Sequence, residues 1–252
     1  MVDKIVSYDE TIRAADWQRR ALFIADNIDS AGDFPKLSEE IITDYLPPDL
    51  AVTRAYLPGQ VPTNPATVEQ IAATRKTISD TLQGGVWLVQ YTGHGAPLLW
   101  AHEKLLTAAE IAGFANGNRL PIVMSFNCQD GWFANPLPSV QAMAEVQQRQ
   151  PGGGAVAAIS PTGDGITPDQ QAFRRIFMTV MFKENVREIG KALDLAKRRY
   201  AAAGGARYLV ETLTLFGDPA MRLPVSASEP TPTPTPTPPG SVRQVYLPVV
   251  LR

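Results

Sequence analysis

The chain has 252 residues, 44% of them hydrophobic and 19% charged, with a net charge of −2. That is ordinary globular composition with enough length for one good-sized core, and the charge gives no electrostatic reason to expect nucleic acid as a partner. A single cysteine excludes an internal disulfide, and no apolar stretch is long enough to span a bilayer as a helix. Residues 2–20 are mixed and polar, an irregular or helical lead-in anchored by Trp17, and Met1 to Ile5 lack the apolar core of a signal peptide. Residues 21–25 (Ala-Leu-Phe-Ile-Ala) read as a strand, and the loop behind it carries Asp26, Asp29 and Asp33. Ser38 looks like the cap of a helix that Pro47-Pro48 stops, and residues 51–57 form a second strand. Asn64-Pro65 looks like the next helix start, with Val68, Ile71, Arg75, Ile78 and Leu82 on one stripe and Gly84-Gly85 as the stop.

Two apolar runs follow. Val86 to Tyr91 breaks at Thr92-Gly93-His94-Gly95, and Leu120 to Phe126 ends at Asn127-Cys128. Each is short, continuously apolar and followed by turn residues, the pattern of a strand buried on both faces. A helix near 107–115 joins them. Helices at 139–148, 167–182 and 186–203 and a strand at 155–159 complete a strand–helix alternation from Ala21 to Val225. Ile189, Leu193, Ala196 and Tyr200 share the inner face of the last helix. The alternation predicts an α/β fold: three layers around a mostly parallel sheet, with helices on both faces. Residues 1–226 form this domain. Residues 227–240 are a stiff Pro/Thr linker, and 241–252 are a short apolar tail. Threonine-proline stalks suit secreted or cell-surface proteins, so the tail points to surface attachment.

His94 and Cys128 thus stand at the carboxyl ends of two strands, the edge where open α/β sheets bind ligands. Their separation, 128 − 94 = 34, suits adjacent parallel strands joined by one crossover. A thiol and an imidazole there are the minimum parts for nucleophilic acyl transfer. His94 serves as general base or holds the thiolate, and the N–H groups of Gly95 and Cys128 face a developing oxyanion. Taken singly, a lone Cys is more often a core residue and a lone His a loop residue. Their matching strand ends and the flanking glycines favour chemistry. His102 is the rival base, placed by its polar surroundings on the loop wall. The His and Cys spacing does not suit zinc, Gly152-Gly153-Gly154 lacks the Lys of a phosphate loop, and no Gly-x-Ser-x-Gly elbow is present. One carboxylate among Asp26, Asp29 and Asp33 is placed to orient His94, and another to bind a cationic substrate group.

Tyr91-Thr92-Gly93-His94-Gly95 with Trp100, then Ser125-Phe126-Asn127-Cys128, then Phe216-Gly217-Asp218-Pro219 together resemble the gingipain family of cysteine peptidases. Leu22 to Asp26 and Gly32-Asp33-Phe34 fit the same pattern, so the resemblance runs from about residue 3 to 225. It implies a caspase-like fold, endopeptidase activity on protein or peptide substrates and a His94–Cys128 dyad. The amides of Gly95 and Cys128 would form the oxyanion hole. It also implies an acidic residue of the loop after the first strand beside the His and, in basic-specific members, one in the P1 pocket. A structural calcium is compatible with it, but no ligand is assigned, and no other metal or cofactor is expected. The resemblance further implies an N-terminal subdomain and a signal and pro-region ahead of the point where this chain starts. The rival functions are an inactive caspase-like domain used in assembly or binding at the cell surface, and a small-molecule acyltransferase or amidohydrolase with the same dyad.

Overall fold

The computed structural model describes residues 2–11, 15–137 and 139–224. In chain order its strands are β1 (Arg20–Ala25), β2 (Ala51–Tyr56), β3 (Leu88–Thr92), the two-residue strands β4 (Gly95–Ala96), β5 (Leu99–Trp100) and β6 (Leu106–Thr107), then β7 (Ile122–Phe126), β8 (Ala157–Pro161) and β9 (Leu213–Phe216). Its helices are α1 (Val2–Thr11), α2 (Phe34–Tyr45), α3 (Val68–Gly84), α4 (Ala108–Ile111), α5 (Met143–Arg149), α6 (Thr167–Met178), α7 (Ile189–Ala202) and α8 (Arg207–Thr212). Six strands make one sheet in the order β2-β1-β3-β7-β8-β9. All pairs are parallel except β8–β9. The three short strands form a separate antiparallel ribbon.

Period-two alternation splits each central strand between two cores. Ala21 and Phe23 of β1, with Met124 and Phe126 of β7, pack with Ile41 of α2, Phe173 and Phe177 of α6 and Ile189 and Ala196 of α7. Leu22 and Ile24, with Val89 and Tyr91 of β3, pack on the other face with Ile78 and Leu82 of α3, Ile111 of α4 and Met143 of α5. This is the predicted three-layer α/β sandwich. Trp87 to Tyr91 and Ile122 to Phe126 are buried throughout, as strands covered on both faces must be.

Several local expectations shift. The cap of α2 is Asp33, whose carboxylate accepts from Lys36 N at 3.0 Å, and Ser38 lies buried inside the helix. α3 starts at Val68 on a Thr67–Gln70 capping box rather than at Asn64-Pro65, and Val68 stands 77% exposed while Thr74 joins Ile78 and Leu82 inside. The helices read at 107–115 and 139–148 shrink to α4 and α5. α6 runs on into a π-helical turn over Thr179–Lys183. The antiparallel strand β9 and the short ribbon were not anticipated, being too brief for periodicity to show. The linker at 227–240 and the tail at 241–252 lie outside the described residues. Among the described residues, no helix is long and apolar enough to cross a membrane.

Candidate active site

The β3–β7 register runs from Leu88↔Ile122 to Thr92↔Phe126. His94 and Cys128 therefore each lie two residues beyond one paired strand end. The two loops leave the sheet in contact, with Gly93 N–H donating to Phe126 O at 3.3 Å. The glycines either side of His94 are sterically required. A Cβ on Gly93, at φ +155°, would lie 2.4 Å from Asp26 Cβ. A Cβ on Gly95 would lie 2.3 Å from Asn127 Nδ2 and 2.9 Å from Cys128 O. No side chain fits at either place without moving a neighbour.

On the histidine side, β1 ends at Ala25, and Asp26 N–H donates to Thr92 O at 3.0 Å. The Asp26 side chain is 1% exposed and accepts from the backbone N–H groups of Asn27 at 2.9 Å and His94 at 3.1 Å. Burial pushes its carboxyl up to about 6, against the pull of those two amides. His94 Nε2 sits 2.6 Å from Asp29 Oδ2. Asp29 Oδ1 accepts from the N–H groups of Ala31 and Gly32. Burial alone would raise the Asp29 carboxyl, but the bond with His94 and the amide of Ala31 outweigh it and the net shift is downward. The imidazole packs edge-on against Phe34, the first residue of α2, at 5.6 Å between ring centroids. Of the three candidate carboxylates, then, Asp29 meets the ring, Asp26 holds the backbone beneath it, and Asp33 caps α2 away from the imidazole.

On the cysteine side, Cys128 is half-buried. Its thiol lies 3.6 Å from Gly165 O, and Gly165 N–H donates to the sulfur at 3.4 Å. Burial pushes the thiol up; the Gly165 amide opposes this, and Asp164 and Asp130 add to the rise. The loop carrying Gly165 is tied to Gln129, whose N–H donates to Gly163 O at 3.1 Å and whose Nε2 donates to Asp164 Oδ1 at 2.7 Å. Beneath Cys128, Asp130 is 1% exposed and accepts from Trp100 Nε1 at 2.8 Å. Burial pushes it up to about 6, while Ser125, Trp100 and Asn127 draw it back. Trp100 in turn stacks on Tyr91 at 4.5 Å and 11°.

Three residues matter more than their sequence context suggests. His102, expected on the loop wall, places its ring 5.5 Å from that of His94, because the β4–β5–β6 ribbon folds back over the site. The two residues bracketing the His102-Glu103 pair, Ala101 and Lys104, are in left-handed conformations at φ 59° and 56°. Gln170 of α6 donates to Asn127 O at 2.5 Å. Arg174, one turn on and 0% exposed, reaches Thr92 Oγ1 and Leu37 O and lies 5.5 Å from the Phe126 ring. Burial lowers its guanidinium to about 9. These polar residues tie α6 to the ends of β3 and β7. The signal was present in the sequence: Gln170 and Arg174 flank Phe173 on the apolar side of an amphipathic helix. Among the described residues, no group of three or more His, Cys, Asp or Glu side chains is arranged to hold a metal ion.

Comparison with known proteins gives a consistent picture. A family model described as peptidase family C25 matches residues 1–224. Gingipain R2 of Porphyromonas gingivalis is 24% identical over 236 residues, covering 87% of this chain and 30% of that protein. Gingipain R1 of the same organism is also 24% identical, with 22% of its length covered. The chain spans less than a third of these curated relatives. The crystal structure of the Arg-specific cysteine proteinase gingipain R superposes with a TM-score of 0.68 at 24% identity, covering 88% of this chain and 51% of that one. A complex of gingipain pro- and mature domains from P. gingivalis gives a TM-score of 0.67 at 22% identity, with 88% and 52% covered. At these identities the structural matches show the caspase-like fold.

Proposed function

Since the chain belongs to peptidase family C25, we propose that it is a cysteine endopeptidase with His94 and Cys128 as its catalytic dyad. One observation carries the reading. The two residues extend equivalent positions of a paired β3–β7 register, and Asp29 lies 2.6 Å from the ring of His94. A carboxylate at one imidazole nitrogen fixes the ring and leaves the other nitrogen for proton transfer. Because burial pushes the Cys128 thiol up, the imidazole serves first as general base. It takes the thiol proton as sulfur attacks the scissile carbonyl. The amides of Gly95 and Cys128 receive the oxyanion, the imidazolium returns its proton to the leaving amine, and water resolves the thioester.

The substrates in this reading are proteins or peptides. Gingipain R is described as Arg-specific, and a basic P1 preference here would need a carboxylate free to meet a cation. Asp26, Asp29 and Asp33 are all engaged within the protein. Asp164, on the loop that touches Cys128 Sγ, also accepts from Gln129 Nε2 through Oδ1 but is exposed, and takes that role in this proposal. Secretion or surface attachment, suggested by the Pro/Thr stalk, belongs to the same reading. The test is an electrophilic peptidyl probe on the full chain, followed by a positional peptide library. Wild type should label at Cys128 and cleave; Cys128→Ala should do neither; Asp164→Asn should lose preference for Arg or Lys at P1. Cleavage by Cys128→Ala at the wild-type rate would refute the dyad, and an unreactive wild type would favour an assembly or binding domain.

A further inference from the structure

Asn127, the residue before the nucleophile, carries a polar group that the mechanism above does not use. It is 1% exposed, and its carboxamide, which helps draw the Asp130 carboxyl down, completes no hydrogen bond of normal geometry among the described residues. A buried amide left with both ends unmade is disfavoured, and a native protein keeps one where it serves something else. Its position is specific. Nδ2 occupies the space that a side chain at Gly95 would need, with only 2.3 Å to a Cβ built there. Its own backbone is fastened from below, since Gln170 Nε2 donates to Asn127 O at 2.5 Å. Gln170 also lies against Gly165, whose backbone holds Cys128 Sγ. The carboxamide is thus a fixed block, anchored through α6, pressed against the segment that follows His94.

We propose that Asn127 is a positioning residue for the oxyanion hole, its buried carboxamide holding the Gly95 backbone in place beside Cys128. This rests on the peptidase reading above. Being enclosed, the carboxamide does not reach substrate and acts through Gly95 alone. Donors aimed at a developing oxyanion work only when held in place, and small displacements cost rate. The contact also explains why position 95 tolerates no side chain.

The test uses Asn127→Ala, which removes the block, and Asn127→Leu, which keeps a side chain of similar volume against Gly95 without its polar atoms. A peptide aldehyde forms a hemithioacetal whose oxygen occupies the oxyanion position. Iodoacetamide alkylates Cys128 without forming any oxyanion. Asn127→Ala should weaken aldehyde binding and lower kcat by about tenfold or more, short of the ~10²–10³-fold that loss of a whole donor costs, and Asn127→Leu should recover part of that loss. KM and the pH profile of alkylation should stay at wild-type values. Gly95→Ala should be impaired more severely, and Asn127→Ala combined with it should restore part of the loss, because the two changes share one contact. Wild-type aldehyde affinity in Asn127→Ala, or strict additivity with Gly95→Ala, would overturn the proposal. So would a parallel fall in alkylation, which would place the effect on the thiol. A wild type that alkylates at Cys128 but binds no aldehyde fails the peptidase reading itself, and the positioning role falls with it.

Discussion

The two sides of the crevice are built differently. On the histidine side the carboxylates are fully committed. Asp26 accepts from two backbone N–H groups, and Asp29 binds the imidazole with one oxygen and two backbone N–H groups with the other. Among the described residues of that side, Asn27 Nδ2 is buried without a hydrogen-bond partner. On the cysteine side the Asn127 carboxamide and one oxygen of Asp130 are buried and complete no hydrogen bond of normal geometry, although Asn127 still draws the Asp130 carboxyl down. One side is therefore a saturated scaffold that fixes a ring. The other holds polar groups in place by packing, through Gln170, Trp100 and the loop at Gly165. Substitutions on the first side should act through lost hydrogen bonds, and on the second through desolvation and packing.

Replacing Asp29 should have the largest effect. Asp29→Ala removes the group that orients His94 and is expected to cost roughly 10²-fold in kcat/KM, within the ~10²–10⁴-fold range that positioned acid–base groups supply. The folded protein should persist, since Asp29 is partly exposed. Activity within twofold or so of wild type would show that the imidazole is oriented without it.

The second expectation tests desolvation. The Asp130 carboxyl is raised from 3.8 to about 6. Below pH ~4 both folded and unfolded forms carry the proton and there is no penalty. As pH rises from about 4 to 6 the unfolded chain ionises first and stability falls; above that range the penalty is constant, on the order of 3 kcal/mol. Asp130→Asn keeps an acceptor for Trp100 Nε1 and removes the charge. It should raise the melting temperature at pH 7 to 8 and leave it unchanged below pH 4. Asp26 shifts in the same direction, so the Asp130→Asn protein should still lose some stability across that window. Melting curves of wild type and Asp130→Asn across pH 3.5 to 8 would check this, and a lower melting temperature for Asp130→Asn than for wild type at pH 8 would contradict it.

The smallest effect belongs to Asp33. Its carboxylate caps α2, so Asp33→Ala is expected to cost about 1 kcal/mol of stability. P1 preference should not change. A changed P1 preference in a cleavage library would show that Asp33 reaches the substrate after all, and that the histidine side is less committed than its hydrogen bonds imply.

How far the amino-acid sequence reached depended on whether the deciding interaction was local. Val86 to Tyr91 and Ile122 to Phe126 announce buried strands by composition alone, and Gly93-His94-Gly95 and Cys128 follow them directly. Once two such strands are parallel neighbours, a crossover of ordinary length brings their ends level, so the site's location was legible. The caps were less so. Asp33 and Ser38, and likewise Thr67 and Asn64, satisfy the same local rule, and which one is used depends on where packing starts the helix. The three aspartates show the limit most clearly. Asp26, Asp29 and Asp33 share one loop and one chemistry, yet one is buried under His94, one binds its ring and one caps a helix. His102 reaches His94 only because the ribbon from β4 to β6 folds back, and Gln170 and Arg174 meet the strand ends only because α6 lies across them. Periodicity and turn chemistry are set by neighbours in the chain, so the sequence carries them openly. Burial, orientation and the partner of each polar group are set by residues tens of positions away, and only the assembled sheet with its two helical layers decides them.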